Sequence, residues 1–241
     1  MITRDIFNLH NAVTVVSETC DIETIKNLES HKVPYIGPSP FSFILFTDKN
    51  LTREALSRQG LNLPKGLVFK KGDYHIDCAR KILNFINPPW FVRPSLKIAN
   101  DFLELASEIS KAFGDYEKII IEEYIWGRGV ECGIVENFRG QELYALPVVE
   151  EKIFCPAGFN LQTKRGIENM AKIAHNALHS RYYSSHDFIV SERPGKDKGK
   201  IYILDSKFYP LPQAQATKAL EAIGVSYQDF LEHLVNLALE N

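Results

Sequence analysis

The stretch 118–149 constrains the fold most. It holds three segments rich in β-branched and aromatic residues, 118–124, 130–136 and 142–149. One turn between them carries Gly127 and Gly129, the other Asn137 and Gly140. Apolar runs broken this way by turn-formers predict an antiparallel meander. Helical periodicity lies on either side. Residues 101–113 place Phe102, Leu105, Ile109 and Ala112 on one face, and 163–178 do the same with Ile167, Met170, Ile173, Ala174 and Ala177. Strands with flanking amphipathic helices predict an α+β chain.

The other elements fit that class. A short strand is expected at 13–16, a helix over 22–30 and an extended segment at 33–37. A helix over 47–59 opens on Thr47-Asp48, which suits a cap, and a strand at 67–69 precedes a helix over 76–86. Pro88-Pro89 breaks the chain before a strand at 90–93. Strands at 187–191 and 200–204 flank the polar turn 193–199, and helices near 214–223 and 226–239 close the chain around Gly224. No repeat or low-complexity segment interrupts the 241 residues.

Composition excludes several function classes. A net charge of −2 with mixed signs gives no bulk attraction to nucleic acid or an anionic membrane surface. No apolar run approaches the roughly 20 residues of a membrane span, and Met1 to Asn11 show no secretion signal. Cys20, Cys78, Cys132 and Cys155 are scattered, with no CxxC pair, so reduced thiols in a cytoplasm are expected rather than zinc or disulfides. His10 and His31 are assigned to the surface.

Short motifs carry more. In order come Val33-Pro34-Tyr35-Ile36-Gly37, Thr47-Asp48-Lys49, Phe91-Val92-Arg93-Pro94, and Ile121-Glu122-Glu123-Tyr124-Ile125-Trp126-Gly127-Arg128. Leu146-Pro147-Val148-Val149-Glu150, Cys155-Pro156-Ala157, Asp187-Phe188, Ile203-Leu204-Asp205 with Pro210, and Gly224-Val225-Ser226-Tyr227 follow. Over residues 33–241 this series resembles the D-alanine–D-alanine ligases, an ATP-grasp family. The resemblance implies an ATP-grasp fold with a shortened N-terminal α/β domain. It divides the chain into an N-terminal remnant at 1–46, a small ATP-grasp subdomain at 47–118 and a C-terminal subdomain at 119–241.

What the resemblance implies about chemistry is ATP-dependent ligation of a carboxylate to an amine through an acyl phosphate. Such chemistry rests on positioning and on neutralising phosphate charge. By this likeness Lys49 and Arg93 reach the phosphates, and Glu122 with the backbone of Glu123, Tyr124 and Ile125 addresses adenine. Asp187 and Asp205 offer hard oxygens for Mg²⁺. ATP, Mg²⁺ and a small amino acid are the implied ligands, and a phosphate contact is considered for His186.

The sequence also departs from the family. No glycine occurs from Asp73 to Phe113, so the glycine-bearing loop over the phosphates is expected to be missing. Only Glu151-Lys152-Ile153-Phe154 spans the stretch where the family carries a mobile lid, and Ser185 stands where it has an arginine. Gly129 replaces a ribose-binding glutamate. Lys207 replaces a metal-binding asparagine, and Leu211 a glycine. An ammonium about 4 Å from Mg²⁺ would be repelled by roughly 8 kcal/mol at an effective dielectric near 20. Lys207 is therefore assigned to nucleotide phosphates. The expected function is ATP binding with at most weak ligation. The alternatives are an inactive pseudo-ligase serving as a nucleotide-binding or interaction module, and a half-protein completed by a partner chain. An apolar face left by the short N-terminus suggests a homodimer.

Overall fold

The computed structural model describes residues 13–16, 19–150, 155–208 and 214–240. The expectations placed on His10, on the gap 151–154 and on Pro210 and Leu211 lie outside them. In chain order β1 (Thr14–Val15), α1 (Ile22–Ser30), β2 (Tyr35–Ile36), α2 (Pro40–Thr47) and α3 (Lys49–Arg58) come first. Next are β3 (Gly66–Lys70), α4 (His75–Phe85), β4 (Trp90–Arg93), β5 (Lys97–Ala99), α5 (Phe102–Asp115) and β6 (Lys118–Glu123). Then follow β7 (Gly127–Phe138), β8 (Gln141–Ala145), β9 (Val149–Glu150) and α6 (Leu161–Ala177). The last are β10 (Tyr183–Ser191), β11 (Ile201–Lys207), α7 (Ala214–Glu221) and α8 (Tyr227–Glu240). The class is α+β, as expected. No helix among the described residues is long and apolar enough to cross a membrane.

The chain forms two compact units. The first gathers described residues from Met1–Leu61, Arg128–Phe188 and Leu204–Asn241; the second gathers Asn62–Gly127 and Ile189–Ile203. The segment boundaries drawn from the sequence, after residues 46 and 118, do not coincide with these units, because each unit joins stretches that are distant along the chain.

The first unit is built on the sheet β11-β10-β7-β8, with β9 also beside β7 and β8 antiparallel to it. The ends of β10 and β11, 189–191 and 201–203, count with the second unit. Its core joins Ile36, Val135, Leu146, Val149, Tyr183, Phe230 and Leu234, since alternate strand positions and one helix face bury together. Buried Ser42 ties α2 to the end of α6, its hydroxyl donating to the Leu178 carbonyl at 2.7 Å.

The second unit carries the antiparallel sheet β3-β6-β4-β5 against α4 and α5. Ile82, Trp90, Val92, Leu105, Ile109, Ile119 and Ile121 fill its core, and the Trp90 indole N–H donates to the Ile86 carbonyl at 2.9 Å.

One sequence expectation is corrected, and two elements appear that the sequence reading did not include. The meander over 118–149 does not exist as such: β6 pairs with β3 and β4, whereas β7 pairs with β8. Gly127 and Gly129 lie within β7, not in a turn. A Cβ on Gly127 would sit 2.2 Å from the Val190 carbonyl oxygen, so glycine there permits a close backbone approach. The helix expected at 47–59 is α3, and a further helix, α2, precedes it. Asp48 ends α2 and caps α3, accepting from the Asn50 N–H at 3.0 Å. The earlier helix opens on Ser39 and Pro40, a cap and first-turn pair within an apolar run that has no helical alternation. Finally, 97–99 is a strand paired with β4, and Pro94, Ser95 and Leu96 alone join the two.

Candidate functional site

The residues singled out from the sequence fall in two sets. Lys49, Asp187, Asp205 and Lys207 are in the first unit; Arg93, Glu122, Glu123, Tyr124 and Ile125 are in the second.

In the first unit, strand alternation puts Glu131 of β7, Asp187 of β10 and both Asp205 and Lys207 of β11 on one face of the sheet. The Lys207 ammonium lies 3.0 Å from one Asp187 oxygen and 3.9 Å from Glu131. Lys49, at the start of α3, donates to Asp205. Burial works against the charge on Lys207, but Asp187, Glu131 and Asp205 outweigh it and raise its pKa above the ordinary lysine value. Glu131 is shifted most usefully. Burial chiefly, then the Asp187 charge and a hydrogen bond with Asp187, push its carboxyl up to about 7, while Lys207 pulls the other way. Sequence reading missed Glu131, although a lone carboxylate amid Val130, Cys132, Ile134 and Val135 was a visible signal.

The chemistry of this donor set bears on a metal. Mg²⁺ prefers hard oxygens in a near-octahedral shell, and the two aspartates carry such oxygens. Each, however, already accepts from a lysine ammonium. Among the described residues no group of three His, Cys, Asp or Glu side chains is arranged to hold a metal. The residues as placed do not fit the pair of divalent ions implied by the resemblance.

In the second unit, Arg93 and Glu122 face each other across the paired strands β4 and β6, with Nε and Oε2 2.9 Å apart and Glu122 buried. The two side chains expected to meet phosphate and adenine thus meet one another. Glu123 accepts the Lys65 N–H at 2.9 Å and pairs with Arg193 at 2.7 Å. Tyr124 donates its N–H to Pro89 at 3.0 Å and accepts from Arg193 through its carbonyl. Ile125 is buried, and no described residue bonds its backbone N–H or carbonyl. Glu123, Tyr124, Trp126, Lys65 and Arg193 line a cavity of about 480 Å³. Arg193, read from the sequence only as part of a polar turn, holds Glu123 and Tyr124 through two hydrogen bonds.

His186 is corrected. It is fully buried on the face of β10 opposite Asp187, with both ring nitrogens taken by Ser184 and Ser206; it cannot contact a phosphate.

Comparison with known proteins identifies the class. A D-alanine–D-alanine ligase from Bacillus anthracis, solved as a complex with ATP, superposes with a TM-score of 0.79 at 22% identity, covering 95% of this chain and 78% of its own. The VanG D-Ala:D-Ser ligase from Enterococcus faecalis gives 0.74 at 22%, covering 90% and 69%. The fold is therefore ATP-grasp. Residues 55–236 match the family model described as D-ala D-ala ligase C-terminus, and the chain belongs to that family.

Curated relatives agree. The D-alanine–D-alanine ligase of Shouchella clausii is 24% identical over 233 residues, covering 86% of this chain and 62% of the relative. That of Acetivibrio thermocellus is 28% identical over 245 residues, covering 90% and 64%. The chain thus spans under two thirds of the length of these two ligases.

Proposed function

We propose that this chain binds ATP, that Lys207 and Lys49 rather than a divalent pair answer the phosphate charge, and that it performs ATP-dependent carboxylate–amine ligation weakly at most. The observation that carries this reading is Lys207, held 3.0 Å from Asp187 in the acidic face where family resemblance puts metal ligands. An ammonium fixed there supplies positive charge without a metal. Family membership supports ATP as the nucleotide. A small amino acid is the expected acceptor. A second reading, a nucleotide-binding module without turnover, draws on the three-residue β4–β5 connection, which leaves no room for a glycine-bearing loop over phosphate.

Calorimetric titration of ATP with and without Mg²⁺ tests the proposal. We expect binding that persists in EDTA and weakens about tenfold or more in Lys207→Met, the loss of one charge-assisted contact. Binding that strictly requires Mg²⁺ would reject it. Phosphate release with D-alanine and a panel of small amino acids then separates slow turnover from none. Self-association through the exposed side chains Phe41 and Ile44 of α2, in a cytoplasmic setting, belongs to the same proposal. A strictly monomeric species in light scattering at micromolar concentration contradicts it.

A further inference from the structure

Behind the charged face, five side chains of the first unit form one continuous chain of hydrogen bonds. Glu136 Oε1 lies 3.2 Å from His175 Nε2, and His175 Nδ1 lies 2.8 Å from Ser184 Oγ. Ser184 Oγ is 2.8 Å from His186 Nε2, and His186 Nδ1 is 2.8 Å from Ser206 Oγ. His175, Ser184, His186 and Ser206 are buried. Ser206 neighbours Asp205, whose carboxylate accepts the Ser206 N–H at 2.8 Å, and Lys207.

The direction of each bond follows from counting donors. An ionised carboxylate only accepts, a neutral imidazole has one N–H and one bare nitrogen, and a hydroxyl donates once. Burial holds His186 neutral, pushing its pKa down to about 3, and the direction that follows is the one in which His175, too, carries a single ring hydrogen. Glu136 Oε2 accepts the Tyr182 N–H at 2.7 Å, so Oε1 must accept from His175 Nε2–H. His175 Nδ1 then accepts the Ser184 hydroxyl, Ser184 accepts His186 Nε2–H, and His186 Nδ1 accepts the Ser206 hydroxyl. Every hydrogen points toward Glu136.

We propose that Glu136, His175, Ser184, His186 and Ser206 form a one-way relay in which Glu136, from three residues away, fixes the orientation of the Ser206 hydroxyl and so positions residues 205–207. These are positioning residues, since none is placed to touch a ligand. The part of the proposal concerning nucleotide rests on the ATP reading above; the hydrogen-bond direction does not.

The test uses Glu136→Gln. The Tyr182 N–H claims the amide oxygen, which turns the amide nitrogen, a donor, toward His175. His175 Nε2 must then accept, and the reversal passes along the chain until His186 donates from Nδ1 to Ser206. Long-range ¹H–¹⁵N correlation of the imidazoles should show both rings protonated on Nε2 in the wild type and both on Nδ1 in E136Q, although His186 does not touch residue 136. A wild-type His186 protonated on Nδ1, or one unmoved in E136Q, overturns the proposal. For positioning, Ser206→Ala should weaken ATP binding about tenfold, roughly one buried hydrogen bond, and Ser206→Thr should restore it. Equal affinity in S206A and wild type rejects the positioning role. A wild type that binds no ATP refutes the functional reading instead, and leaves the imidazole spectra to decide the relay.

Discussion

The two faces of the sheet at β10 and β11 meet the same difficulty, polar groups withdrawn from water, by different means. On one face Glu131, Asp187, Asp205, Lys207 and Lys49 balance charge with charge. On the other, Ser184, His186 and Ser206 carry no net charge and pair donor with acceptor. Charge compensation tolerates exchange, because an ammonium shared among carboxylates can be met by another ion. A relay of neutral groups has no such latitude, since removing one member strands two neighbours. The first arrangement suits a place where ligands come and go, the second a support that must not move.

Disrupting the relay should have the largest consequence. His175→Leu leaves Glu136 and Ser184 short of a buried partner and should lower unfolding free energy by about 3 kcal/mol in urea titration. A loss below about 1 kcal/mol would show that water or neighbouring groups replace the imidazole, and the contrast between faces would blur.

On the charged face the sign reverses. Folded Glu131 keeps its proton up to about pH 7, whereas a carboxyl at the ordinary value of 4.5 has lost it well before. Between those values the folded state binds more protons, so stability falls as pH rises. Glu131→Gln, which cannot ionise, should therefore raise stability at pH 8 by about 2–3 kcal/mol and change it little at pH 4. Thermal unfolding at both pH values checks this; an equal effect at both would mean that packing, not ionisation, governs the site. Lys49→Met tests the outermost member, about half exposed, and should cost no more than about 0.5 kcal/mol. A larger loss would make Lys49 part of the structural support.

Much of this was readable before any coordinates. The Asp48 cap and the amphipathic faces of α5 and α6 follow from local spacing, and the ordered motifs pointed to the family. The pairing of β7 with β8 followed from the turn at Asn137 and Gly140, but the partners of β6 and the other neighbour of β7 were not readable, because the residues between β6 and β7 resemble a turn while the pairing is decided by distant strands β3, β4 and β10. Helix α2 was hidden by its uniformly apolar sequence, which has no periodicity to detect. Within the candidate site, Asp187, Asp205 and Lys207 were found through motif order, but their mutual pairing depends on cross-strand register. The relay was the least visible. Its members are separated by up to 70 residues, from Glu136 to Ser206, and it emerges only when even-numbered positions of β7, β10 and β11 are set beside His175 of α6.

Because the backbone passes back and forth between the two compact units at residues 61–62, 127–128, 188–189 and 203–204, no single cut releases either one whole. A protease nick in the 193–199 turn would sever the hairpin yet leave residues of both units on each fragment. Loss of one unit by simple deletion would remove strands from the other. A shortened version that preserves a whole unit would have to splice distant stretches together, and whoever trims this chain from either end will be cutting into the first unit before the second is reached.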